Sequence, residues 1–148
     1  PPTAQRSHVL EALRQLARRH AVLRTRYAFD DGVLSQIVLP DAGFEIPLAD
    51  IEGRAEDLSA VEDAPFDMLA APPVRAALYA SPEGERWLLL AMHHVITDHQ
   101  SVAVVARDAL ALLSGEAVAC EGLQYAEYAL WQSRCFSEQR RSEQLQWW

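Results

Sequence analysis

The chain has 148 residues, one domain's worth, and half of them are apolar, enough to bury a core. Thirteen arginines and no lysine stand against twenty-one acidic residues, giving a net charge of -8, which argues against the basic face that nucleic-acid binding needs. No apolar run approaches the roughly 18 residues of a membrane helix and no secretory leader is visible, so a cytoplasmic protein with neither nucleic acid nor membrane as partner is expected.

Residues 7–20 place Val9, Leu10, Leu13, Leu16 and Ala17 on one face at helical spacing, with Arg14, Arg18 and Arg19 opposite and suited to a helix C-terminus. Then the period changes. Residues 24–29 and 33–39 read as strands joined by Asp30-Asp31-Gly32, a hairpin turn. Residues 44–51 form a weaker extended stretch interrupted by Pro47. The polar residues 53–63 predict a short helix, broken at Ala64-Pro65-Phe66-Asp67. Residues 74–80 predict a strand, and residues 81–85 a turn. Residues 86–92 are apolar on both faces, which predicts a central strand with Trp87 in the core. Residues 100–113 predict a helix. Residues 125–148 predict an amphipathic helix or helix pair, with Tyr125, Tyr128 and Trp131 in the core or at an interface.

Interleaved helices and hairpin-linked strands favour an α/β sandwich with a mixed sheet over a doubly wound parallel one. Neither GxGxxG nor a P-loop is present. Cys120 and Cys135 have no CxxC or Cys/His metal spacing and read as reduced thiols.

The segment richest in chemistry is Met92-His93-His94-Val95-Ile96-Thr97-Asp98-His99-Gln100-Ser101, on a strand-to-helix loop of the kind that often carries active-site residues. Histidine moves protons near neutral pH, and an aspartate four residues on can orient an imidazole or anchor the loop through an arginine. No nucleophile elbow accompanies it. The pattern is that of a lone base, suited to a substrate that brings its own nucleophile. Adjacent strand residues point to opposite faces, so His93 and His94 are ill placed to share a metal, and none is expected.

The string resembles the HHxxxDG motif of nonribosomal peptide synthetase condensation domains. Three further blocks look like theirs in the same order: Arg19-His20-Ala21-Val22-Leu23-Arg24-Thr25-Arg26-Tyr27 (RHExLRTxF), Pro65-Phe66-Asp67 with Pro73-Val74-Arg75-Ala76 (PFDL…PLLRA), and Leu123-Gln124-Tyr125-Ala126-Glu127-Tyr128-Ala129-Leu130-Trp131-Gln132 (LQYxDYAxWQ). The resemblance implies a chloramphenicol-acetyltransferase-like α/β sandwich lobe, its mixed, largely antiparallel sheet flanked by helices. Residues 1–148 would be the N-terminal lobe, without the family's first motif and its C-terminal lobe.

By the same resemblance, His94 is the catalytic histidine, acting as base or positioning group as an amine attacks a donor thioester. His93 shapes the loop. Asp98 is structural and salt-bridges an arginine, with Arg24 the best candidate and Arg19 or Arg75 less favoured. His99 and Ser101 are possible tunnel or substrate residues. No cofactor is bound by the domain itself, because substrates arrive on the phosphopantetheine of upstream and downstream peptidyl carrier proteins. The C-terminal lobe and a neighbouring adenylation domain are the other implied partners, and the isolated piece is expected to be inactive. Two departures stand out: His99 replaces the motif glycine, and Ala21 replaces the glutamate of RHE. The first keeps open a non-catalytic module that binds carrier or partner proteins. An ester-forming relative is the other alternative.

Overall fold

The computed structural model describes residues 5–53, 55–119 and 122–148; the opening residues 1–4 and Cys120 lie outside that set. Helix α1 (Arg6–Arg19) follows its apolar spacing, burying Val9, Ala12, Leu13, Leu16 and Ala17. A 3-10 turn, Ala21–Arg24, leads into β1 (Thr25–Asp30). That strand pairs antiparallel with β2 (Val33–Val38), Asp30 opposite Val33, so Asp31 and Gly32 alone make the turn. Both have positive φ, 47° and 80°, as the mirror-image turns that match strand twist require.

The second sheet has the order β3 (Leu48–Glu52), β4 (Val74–Ala80), β5 (Arg86–Met92). Strand β3 runs parallel to β4, and β4 antiparallel to β5. The parallel pair requires a crossover, which contains a 3-10 turn (Ala55–Leu58) and the one-turn helix α2 (Ser59–Glu62). Alternation along β4 gives the sheet two buried faces. Val74 and Ala76 join α1 and α3 (His99–Leu113) in the main core, together with Leu23, Tyr27, Ile46 and Ile96. On the opposite face Ala77 and Tyr79 are also buried, and the Tyr79 hydroxyl donates to Gly53 O at 2.9 Å. Helices α4 (Tyr125–Cys135) and α5 (Glu138–Trp147) complete the described chain.

The mixed α/β architecture is as expected from the sequence, with three local corrections. Among the described strands β4, not β5, is central. Strand β5 is apolar on both faces, but only Leu88, Leu90 and Met92 pack against the core, and Trp87 is 60% exposed. Helix α4 buries no residue, so of the two places expected for Tyr125, Tyr128 and Trp131 the core is excluded; they run along its surface with ring centroids 6.1 and 5.7 Å apart. No helix is long and apolar enough to cross a membrane among the described residues.

Candidate active site

The two histidines leave β5 on a tight turn. The His93 backbone N–H donates to Pro73 O at 3.0 Å, continuing the β4–β5 ladder, and Ile96 N–H closes the turn onto His93 O at 3.0 Å. Ile96 is buried in the main core and pins the loop from below. Val95 N–H donates to His93 Nδ1 at 3.0 Å, so this nitrogen is an acceptor and the neutral ring carries its proton on Nε2. His93 is thereby committed to the shape of the turn.

His94 is free of that duty. Its side chain makes no hydrogen bond among the described residues, is exposed, and lines a cavity of about 260 Å³ with Val22, Ile96, Thr97, Asp98, Ser101 and Tyr125. A neighbouring cavity of about 350 Å³ shares most of those walls and extends to His20, Gln100 and Val105. Together they form one groove. The 3-10 turn, the histidine loop, the start of α3 and the start of α4 each contribute a wall, so three of the four motif blocks meet there. Among the described residues no three His, Cys, Asp or Glu side chains converge as metal ligands.

Asp98 is the N-cap of α3. One oxygen, Oδ1, accepts from the Ser101 backbone N–H at 2.8 Å and from the Ser101 hydroxyl at 2.6 Å. Those bonds, the hydroxyl's foremost, hold its carboxyl below the usual range. The expected arginine bridge is not present: among the described residues Asp98 makes no ion pair. Arg24 instead donates through Nε to Ala17 O at 2.9 Å and through Nη1 to Leu39 O. It closes the 3-10 turn by tying the end of α1 to the residue after β2, where the carbonyls need donors. Arg75 is turned toward the carbonyls of Ala64 and Pro65, and Arg19 lies 3.7 Å from Asp108.

His99 is the first residue of α3 and is exposed. Asp31 is the one non-glycine residue with positive φ among those described, so the backbone at position 99 asks for no glycine. His99 lies outside the lining of both cavities, whereas Ser101 lines both.

Two residues that organise the groove have no role in the sequence reading: Asp108 lies outside every motif block, and Gln124 stands in the fourth block with no task assigned. Asp108 on α3 is 3% exposed and accepts hydrogen bonds from Arg107 Nη2 at 2.7 Å and Nε at 2.9 Å. It also faces His20 Nε2 at 2.8 Å. Burial works against its charge, but Arg107 and His20 prevail and hold its carboxyl below the usual range. Burial, aided by Arg19 and Arg107, depresses His20 despite the carboxylate beside it. The signal was available: Val105, Asp108 and Leu112 share one helical face, so a carboxylate stands on the buried stripe. Gln124 is the second. Its Oε1 accepts from Ala21 N–H at 3.0 Å and its Nε2 donates to Arg19 O at 3.3 Å, fastening α4 to the 3-10 turn.

Comparison with known proteins agrees with this geometry. The family model described as "Condensation domain" matches residues 3–148. Surfactin synthase subunit 2 of Bacillus subtilis (strain 168) is 33% identical over 135 residues, 89% of this chain and 4% of its own length. Tyrocidine synthase 3 of Brevibacillus parabrevis is 34% identical over 140 residues, 93% of this chain and 2% of its own. The chain therefore spans a few per cent of those relatives. Among solved structures, the X-domain from teicoplanin biosynthesis superposes with a TM-score of 0.77 at 30% identity, covering 90% of this chain and 31% of that one. The epimerization domain from the third module of tyrocidine synthetase B shares the fold, with a TM-score of 0.74 at 21% identity over 85% of this chain and 32% of that one. With the family model matching nearly its whole length and the histidine loop at the centre of its groove, this chain belongs to the condensation domain family of nonribosomal peptide synthetases.

Proposed function

We propose that this chain is the N-terminal lobe of a condensation domain that forms amide bonds between carrier-bound substrates, with His94 as the base or amine-positioning group. The observation that carries the reading is the division of labour between the two histidines. His93 is tied to the Val95 backbone N–H, while His94 is unbonded and lines the groove. In the proposed step the amine nitrogen of the acceptor attacks the thioester carbonyl of the donor. A C–N bond forms and the C–S bond breaks through a tetrahedral oxyanion. The amine proton passes by way of the His94 imidazole to the departing thiolate, which leaves as a thiol. No protein nucleophile is required, and much of the acceleration comes from holding two tethered substrates together.

Donor and acceptor arrive on phosphopantetheine arms of upstream and downstream peptidyl carrier proteins, and the domain binds no cofactor of its own. The C-terminal lobe supplies the other wall of the cleft, so the isolated lobe forms no amide. An adenylation domain is the expected neighbour, and the cytoplasm the expected location.

A second reading has support in the X-domain likeness. A related structure, 32% identical with a TM-score of 0.73, is an X-domain in complex with OxyB from teicoplanin biosynthesis. A condensation-like module that recruits a partner is thus the alternative, with His99 in place of glycine as its sequence correlate; an ester-forming acyltransferase is the remaining one. One experiment separates these readings. The full-length protein is given loaded upstream and downstream carriers, with competing amine and alcohol acceptors, and product is followed by intact mass for wild type and His99→Gly. Amide product from wild type supports condensation, and ester product the third reading. Carrier binding without product, and product restored by His99→Gly, supports the recruiting module.

A further inference from the structure

The turn that carries His94 is braced from the opposite side of the sheet. Phe66, in the Pro65-Phe66-Asp67 segment, meets the His93 ring edge-on, with centroids 6.1 Å apart and planes at 89°. The guanidinium of Arg75 lies 3.9 Å from the centroid of the Phe66 ring, within cation–π range. Arg75 is on β4, and two of its nitrogens donate to the same segment: Nη1 to Pro65 O at 3.3 Å and Nη2 to Ala64 O. Its Nε is buried with no hydrogen-bond partner among the described residues, a cost that a free surface arginine would avoid. The segment is fixed beyond Phe66 as well. Asp67 Oδ1 accepts from the backbone N–H groups of Leu69 and Ala70, both at 3.1 Å, and Tyr27 N–H donates to Met68 O at 2.9 Å.

We propose that Phe66 and Arg75 are positioning residues for the reaction, acting through His93. The chain of contacts is continuous: Arg75 orients Phe66, Phe66 orients the His93 ring, and His93 Nδ1 receives the Val95 N–H that sets the turn presenting His94. The proposal rests on the reading of His94 as the reacting histidine, but its structural half is testable apart from that reading. Phe66 lies outside the lining of the groove and instead lines a separate cavity of about 520 Å³ with Tyr27, Met68 and Val95, so its loss is expected to act on the placement of His94 rather than on the groove's own walls.

The test uses the full-length protein with Phe66→Leu and Arg75→Gln, and Phe66→Tyr as the conservative control. Hydrogen exchange is read peptide by peptide, alongside kcat and KM for carrier-bound donor and acceptor. Phe66→Leu is expected to speed exchange at the Val95 amide with α1 amides unchanged. It should lower kcat about tenfold, as sub-ångström misplacement of a reacting group does, and leave KM within about twofold. Arg75→Gln follows in the same direction, and Phe66→Tyr restores both readouts. Unchanged exchange at Val95 overturns the brace. Faster exchange with unchanged kcat overturns its part in the reaction. Exchange that rises equally in α1 marks general destabilisation and also overturns it. If wild type forms no amide at all, the reading of His94 fails instead, and exchange at Val95 alone decides whether the brace exists.

Discussion

A single oxygen of Asp98 accepts both the backbone N–H and the hydroxyl of Ser101, at 2.8 and 2.6 Å. The motif aspartate is therefore a helix cap, and its partner is a serine three residues on rather than an arginine from another block. This places the end of the histidine loop and the start of α3 under one local interaction. Removing it as Asp98→Ala should destabilise the protein by about 1 kcal/mol, the usual worth of a cap, while Asp98→Asn retains most of it. Denaturant titration of the two variants checks this. Because the folded carboxyl is held below its ordinary value, the cap's contribution is present above the unfolded value and is lost as pH falls through the lowered folded one.

Arg24 and Asp98 should behave as independent sites. Arg24 serves the carbonyls of Ala17 and Leu39, so a double-mutant cycle with Arg24→Ala and Asp98→Ala should give a coupling within about 0.5 kcal/mol of zero. A coupling above about 1 kcal/mol would restore the ion pair that the family resemblance implies.

The buried Asp108 is expected to matter more for stability than any other charged residue described. It is 3% exposed, accepts from Arg107 and faces the part-buried His20 ring, so Asp108→Ala removes a buried hydrogen-bonding centre and should cost about 1–3 kcal/mol. The pH dependence has a definite sign. His20 is depressed in the folded state, so the unfolded chain takes up the proton first. Stability should therefore decline as pH falls below the ordinary histidine value, and decline further at acid pH as Asp108 is protonated. Thermal melts of wild type and His20→Gln between neutral and mildly acid pH test it, with the first part of the decline absent in the variant.

Gln124 fastens α4 to the 3-10 turn through two bonds, and Ala21 N–H is buried beneath it. Gln124→Ala leaves that donor without a partner and should cost about 1–2 kcal/mol. Its local signature is faster hydrogen exchange at Ala21 and in the first turn of α4, which loosens the wall that Tyr125 gives to the groove.

Local patterns in the sequence account for most elements. The helical spacing of Val9, Leu13 and Leu16 is enough for α1, and Asp31-Gly32 for the hairpin, because both depend on neighbours a few residues away. The parallel pairing of β3 with β4 leaves no such mark, since Leu48 meets Ala76 across an intervening crossover. Trp87 was misplaced for a related reason. An apolar residue on a strand marks a surface that wants covering, and the described chain covers the inner part of that face but leaves Trp87, at the outer end of β5, 60% exposed. The groove followed from the motif blocks, but its inner bonds did not. Arg24 and Asp98 are both in the expected segments, and each finds a nearer partner, because backbone groups at helix ends need donors and acceptors before distant charges do.

The most direct test of the central claim is condensation by the full-length protein with loaded carriers, comparing wild type with His94→Ala and followed by intact mass of the dipeptidyl product. The account predicts product from wild type and a rate about 100-fold or more lower for His94→Ala, with carrier binding retained. Product formation by His94→Ala at the wild-type rate would contradict it.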